Sequence, residues 1–194
     1  YYEILPEHYE GITGLLNRPM GNALILDPCA GEGDFLAHLA KKTGTTPYAN
    51  ELDVERAEVC KQKFGNINSL QGDIYNLTTE RRFGLVWLNP PYSSDSLATG
   101  GTKRMEFSML KHVDKHWMAS GSVMMWCVYT QHITSEVISW WAENYHRVRI
   151  FHLEGKHLDQ YDQVVMVGVK GEAYPRENYA FSALVRQRDN KFDN

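Results

Sequence analysis

Asp27-Pro28-Cys29-Ala30-Gly31-Glu32-Gly33-Asp34-Phe35 joins the apolar run Ala23 to Leu26 to a segment in which Phe35, Leu36, Leu39 and Ala40 recur at helical spacing. The order is buried strand, glycine turn, helix. Gly31 and Gly33 allow backbone shapes and a close approach that a Cβ would block. In open α/β sheets, ligands bind at this edge, outside the carboxyl ends of the strands. A Gly-x-Gly turn alone is a weak signal, because any tight strand-to-helix turn uses one.

The segments on either side decide the fold class. Pro47 to Glu51 reads as a strand, and Asp53 to Phe64 as a helix with Asp53 as N-cap. Ile67 to Gln71 and Gly84 to Leu88 read as strands, the first closed by Gly72-Asp73 and the second by Asn89-Pro90-Pro91-Tyr92. A polar, Gly-rich loop is predicted over Ser93 to Thr102, a helix over Met105 to Trp117, a central strand over Ser122 to Tyr129 and a helix over Ile133 to Glu143. Val148 to Leu153 and Val164 to Lys170 are strands separated by too little chain for a parallel crossover, so one antiparallel strand is expected near the C-terminal edge. This alternation predicts an α/β fold: a mostly parallel seven-stranded sheet with helices on both faces. From Tyr174 onward the chain is polar and reads as an edge or tail.

The 194 residues suffice for a single domain, 1–194. It divides into an N-terminal element (1–22), a half built on the glycine turn (23–80), a second half (81–170) and a tail (171–194). Apolar residues make up 43% and no run approaches the roughly 20 residues of a membrane helix, which argues against a membrane partner. Cys29, Cys60 and Cys127 are odd in number and far apart, which points to a reducing, cytoplasmic setting; Cys29 and Cys127 read as small core residues. A net charge of −4 counts against tight autonomous binding to a long stretch of DNA, although a pocket for one base remains compatible with it. The chain begins at Tyr1 and not at Met, which leaves room for a flanking domain or a separate recognition subunit.

Two acids complete a candidate nucleoside site. Glu51 ends the second strand, twenty residues beyond Gly31, where a carboxylate can accept both hydroxyls of a ribose. Asp73 ends the third, where it can accept from an adenine amino group while the Ile74 backbone addresses a ring nitrogen. Leu52 and Ile74 are placed to sandwich the adenine. Glu32 and Asp34 put negative charge at the helix start, which disfavours a pyrophosphate and favours the sulfonium and ammonium groups of S-adenosylmethionine over NAD.

Asn89-Pro90-Pro91-Tyr92 supplies the second constellation. An exocyclic amine on adenine is a poor nucleophile, because its lone pair is delocalised into the ring. The Asn89 side-chain oxygen and the Pro90 carbonyl can each accept one N–H and draw the nitrogen toward tetrahedral geometry. Pro90 and Pro91 fix the backbone, and Tyr92 offers a stacking face. Catalysis of this kind rests on positioning and electrostatics, with no required general base.

These residues resemble the amino-group DNA methyltransferases of the adenine-N6 type over roughly residues 1–130, with S-adenosylmethionine as methyl donor and S-adenosylhomocysteine as product. The resemblance implies the Rossmann-like class I methyltransferase fold. It assigns Asn89, Pro90 and Tyr92 to the target amine, and Asp27, Pro28, Ala30, Gly31, Gly33, Glu51, Asp73 and Asn89 to the cofactor. Tyr1-Tyr2 and Pro6, with the following helix, look like the family's N-terminal element over the methionine end, in the gamma-type motif order. The family's large target-recognition region has no counterpart after residue 170. The tetrad makes DNA the favoured partner; the missing region and the net charge of −4 keep RNA or a protein glutamine amide as alternative acceptors, with a non-catalytic binding subunit as a further one.

The remaining features are weaker. Lys103 and Arg104 could meet phosphates beside a flipped base, and Phe107 could add a stacking face; a solvated helix start explains the two cations equally well. His112 and His116 lie four apart on a helix but lack a third ligand, so no metal is expected. Gln131-His132 reads as a helix cap, Trp140-Trp141 as core or interface, and Arg147 and Arg149 as the exposed side of a strand.

Overall fold

A computed structural model describes residues 3–16, 22–92, 94–96, 102–153, 162–171 and 177–189, the side chains of 94–96, 102–103 and 177–180 excepted. Seven strands form one sheet and two form a small hairpin. The architecture is α/β, a mostly parallel sheet with helices around it. Contacts divide the chain into two compact units, Tyr1–Met118 and Ala119–Asn194.

In the first unit, α1 (Tyr9–Gly14) precedes β1 (Leu24–Asp27), α2 (Asp34–Thr43), β2 (Thr46–Glu51), α3 (Val54–Phe64), β3 (Ser69–Gln71) and β4 (Phe83–Leu88). The four strands lie parallel in the order β3-β2-β1-β4. β4 is buried at every position but Gly84, as expected of a strand covered on both faces. α2 buries Phe35, Leu36, Leu39 and Ala40, the stripe its spacing predicts, and stops at Gly44 in the left-handed region. Phe35 carries the packing outward, with ring centroids 4.4 Å from Trp87 of β4 and 5.0 Å from Tyr9 of α1. In α3, Asp53 caps the start by accepting the Arg56 N–H.

The loop expected over Ser93 to Thr102 instead carries a short antiparallel hairpin, β5 (Ser94–Ser96) with β6 (Thr102–Arg104). Ser, Asp, Thr and Lys have no apolar alternation, so the pairing left no periodic trace. α4 (Met105–Trp117) follows with the predicted limits.

In the second unit, β7 (Met118–Tyr129) is four residues longer at its start than its apolar run, and α5 (Ser135–Asn144) is capped by Thr134. β8 (Tyr145–His152) and β9 (Gln163–Lys170) form the expected hairpin. The antiparallel strand is β9, which lies between β7 and β8, so it sits one strand in from the edge. Trp141 is fully buried against Tyr145 and Trp126, and a Cβ on Gly168 would stand 2.9 Å from its ring. Arg147 and Arg149 are exposed as expected, but a bulge separates them from a strict alternation and puts Arg147 at φ 54°.

The polar C-terminal stretch is not a simple tail. Residues Glu177–Asp189 form α6, whose Gln187 side chain accepts the Ile150 N–H of β8 while Arg188 donates to the Ile133 carbonyl. A polar helix whose purpose is to satisfy an edge strand has too weak an apolar stripe to stand out in the sequence. Cys127 and Cys60 are buried, whereas Cys29 is only half-buried and opens onto the candidate site.

The packing of the glycine turn yields a prediction. A Cβ on Gly33, at φ 80°, would lie 2.6 Å from the Phe64 ring, whereas one on Gly65, at φ 81°, would meet nothing within 4 Å. Gly65→Ala therefore carries backbone strain alone, roughly 1–3 kcal/mol because its ψ of 158° lies where only glycine ordinarily sits, and Gly33→Ala carries left-handed strain plus overlap, roughly 2–4 kcal/mol. Denaturant midpoints of the two variants measure the difference.

Candidate active site

The carboxyl ends of the four parallel strands meet at one place. Asp27 ends β1, Asn50 and Glu51 end β2, Gly72-Asp73 follow β3 and Asn89 follows β4. Asn50, which the sequence reading did not single out, ties them together. Its buried Nδ2 donates to the Pro28 carbonyl at 3.1 Å and the Gly72 carbonyl at 3.0 Å, and its own carbonyl accepts the Ala30 N–H at 2.9 Å. An isolated Asn in a strand carries no spacing signal.

Glu51 is 4% exposed and works from inside the turn. Its Oε2 accepts the Gly31 N–H at 2.7 Å, and its Oε1 accepts from Asp53 N at 3.0 Å and the Arg56 guanidinium at 3.1 Å. α3 grips the same turn from outside. The Cys60 thiol donates to the Gly31 carbonyl at 3.1 Å, and Lys63 Nζ donates to the Glu32 carbonyl at 2.8 Å and to Asp34 at 2.7 Å. The available sequence signal was the spacing 60, 63, 64, which puts Cys60, Lys63 and Phe64 on one helix face.

A cleft of about 290 Å³ opens at these strand ends. It brings together Pro28, Glu51, Leu52, Asp73, Ile74, Asn89 and Pro91, all singled out from the sequence, and adds Cys29, Arg56 and Met109. Leu52 is 64% exposed and Ile74 is buried, so one apolar side chain stands at the rim and one at the floor. Asp73 uses one oxygen to cap the short turn that follows, accepting from Tyr75 N at 3.0 Å. Asn89 is 7% exposed, Pro90 is buried behind it, and the Tyr92 hydroxyl donates to Asn89 Oδ1 at 3.2 Å.

Other candidates stand elsewhere. Glu32 and Asp34 are exposed, do not line the cleft, and the Asp34 charge is met by Lys63; their charge therefore does not select the ligand as the sequence reading had it. Arg104 donates to buried Glu106 through 3.2 and 2.7 Å bonds to Oε1. Phe107 does not line the cleft; Lys111 Nζ lies 4.2 Å from its ring centroid, and Met109 is the α4 residue turned to the site. Pro6 opens an exposed 3-10 turn away from the cleft. Tyr2 lies outside the described residues, as does the side chain of Lys103.

Burial pushes the Asp27 carboxyl up to about 8; the Cys29 N–H opposes this and the neighbouring Glu51 carboxylate reinforces it. The folded chain thus holds the Asp27 proton more tightly than the unfolded chain. Its contribution to stability declines as pH rises from near 4, the unfolded value, to near 8, and is level above that. Asp27→Asn keeps an acceptor for Cys29 and abolishes the slope. The variant should match the wild type near pH 4 and melt higher at pH 8 by at least ~3 °C. Thermal melts across this range check the widening gap, and a constant offset contradicts it.

Comparisons with known proteins bear on the fold and the family. The methyltransferase subunit of a type I restriction-modification system from Streptococcus thermophilus is similar in fold, with a TM-score of 0.66 at 12% identity over 100% of this chain and 53% of that one. The present chain thus spans about half of that subunit. A SAM-dependent O-methyltransferase from Thermotoga maritima has a TM-score of 0.61 at 16% identity, covering 91% and 68% of the two chains. The Escherichia coli protein yhhF has a TM-score of 0.61 at 15% identity over 90% of each. At these identities the likeness is one of fold. No curated protein matches the sequence. The model of the uncharacterised methyltransferase family DUF6094 matches residues 1–189, and the chain belongs to that methyltransferase family.

Proposed function

We propose that the chain transfers a methyl group from S-adenosylmethionine to an exocyclic amino group, with adenine N6 in DNA the favoured acceptor. The observation that carries this reading is the place of Asn89. It is a buried amide at the end of β4, opening into the same cleft as Glu51, Leu52, Asp73 and Ile74.

The residues present fit an adenosine cofactor. The cleft has apolar groups for the base and acids at successive strand ends. Glu51 and Asp73 would hold the ribose and the adenine amine, with Leu52 and Ile74 against the ring. When bound, the cofactor supplies an electrophilic methyl group on a sulfonium. Asn89 Oδ1 and the Pro90 carbonyl accept the two N–H bonds of the target amine. The Tyr92 hydroxyl donates to the same Asn89 oxygen. Pro91 and Met109 wall the cleft.

The net charge of −4 favours a second reading of the same site, in which the planar amine belongs to an RNA base or a protein glutamine. If DNA is the substrate, target selection falls largely to the β5–β6 hairpin region or to a recognition subunit in trans.

Isotope-labelled S-adenosylmethionine offered with DNA, RNA and protein separates these readings. The expected result is label in N6-methyladenine of DNA, reduced about 100-fold or more by Asn89→Ala. Label confined to RNA or glutamine transfers the conclusion to the second reading. No label in any acceptor, or full activity in the variant, removes both.

A further inference from the structure

The crossovers of the first unit differ in one respect. β1 to β2 carries α2 and β2 to β3 carries α3, but β3 to β4 carries only the 3-10 turn Ile74–Asn76 and an irregular stretch. A parallel crossover ordinarily brings a helix that covers the sheet. Here the sheet face is left with a cavity of about 200 Å³ lined by Leu26, Tyr48 and Phe83, with half-exposed Leu70 at its rim. It shares only Asn50 with the strand-end cleft.

One group at this cavity asks for a ligand. The Arg81 guanidinium lies 4.7 Å from the Tyr48 ring centroid, and the Phe83 ring meets the same tyrosine edge-on at 5.6 Å. Among the described residues no carboxylate pairs with Arg81, although its five N–H donors stand in a fixed plane beside an apolar floor. A guanidinium stacked on a ring keeps its edge open for two parallel bonds to a carboxylate. Size narrows the ligand further. An apolar cavity of about 150 Å³ accepts benzene, so this one has room for a single ring and a short arm.

We propose that this cavity is a binding site for a small monocarboxylate bearing one ring or an aliphatic group of like size. The apolar part rests on Leu26, Tyr48, Leu70 and Phe83, and the carboxylate meets Arg81. The site is distinct from the strand-end cleft and does not depend on the reading of that cleft.

The test is an amide chemical-shift titration of the wild-type chain with 3-phenylpropionate. Its uncharged counterpart 3-phenylpropanol serves as the comparison, and Arg81→Gln and Leu70→Glu as surface variants with unchanged folds. The expected result is saturable shifts at Tyr48, Leu70 and Phe83, undisturbed by S-adenosylhomocysteine. Binding should weaken about fivefold or more for the alcohol and for either variant. No saturable shift at those amides, equal binding of acid and alcohol, indifference to Arg81→Gln, or displacement by S-adenosylhomocysteine would each overturn the proposal.

Discussion

One buried amide sets the geometry on which the candidate site depends. Asn50 bonds the carbonyls that follow β1 and β3, and its own backbone receives the Ala30 N–H. Parallel strands diverge at their carboxyl ends, and the loops leaving them carry polar groups that neighbouring strands no longer satisfy. Two side-chain bonds and one backbone bond close that gap across three strands. The consequence is a cleft whose walls, from Pro28 to Gly72, are fixed relative to each other before any ligand arrives.

The glycine turn is held from two sides with opposite chemistry. Inside, Glu51 draws the Gly31 N–H inward; outside, Cys60 and Lys63 take the carbonyls of Gly31 and Glu32. The turn cannot relax without breaking buried hydrogen bonds, each costing about 1 kcal/mol or more. Electrostatics point the same way. Asp27 and Glu51 are both buried, and Arg56 pairs with Glu51 while Asp27 is pushed toward its neutral form.

What the sequence made legible follows from what leaves a pattern. Strands buried on both faces read as apolar runs, and α2 and α4 read from their stripes, so the sheet and its C-terminal hairpin were accessible. Cleft-lining residues such as Glu51, Asp73 and Asn89 stood out because strand ends are where side chains become available to ligands. Asn50 did not, because its work lies in contacts between distant segments. The Arg104–Glu106 pair left no signal, because the burial of Glu106, two residues away on α4, shows only in the fold. α6 and the β5–β6 pairing were missed for want of an apolar repeat.

The central claim is that the strand-end cleft holds the methyl donor. Calorimetric titration of the chain with S-adenosylmethionine tests it most directly, with Asp73→Ala as the second arm. Asp73 is exposed at the rim and contributes only the cap of a short turn, so the variant keeps the fold. The account predicts one site per chain, weakened about tenfold by the substitution. Absence of binding, or binding that the substitution leaves unchanged, would contradict it.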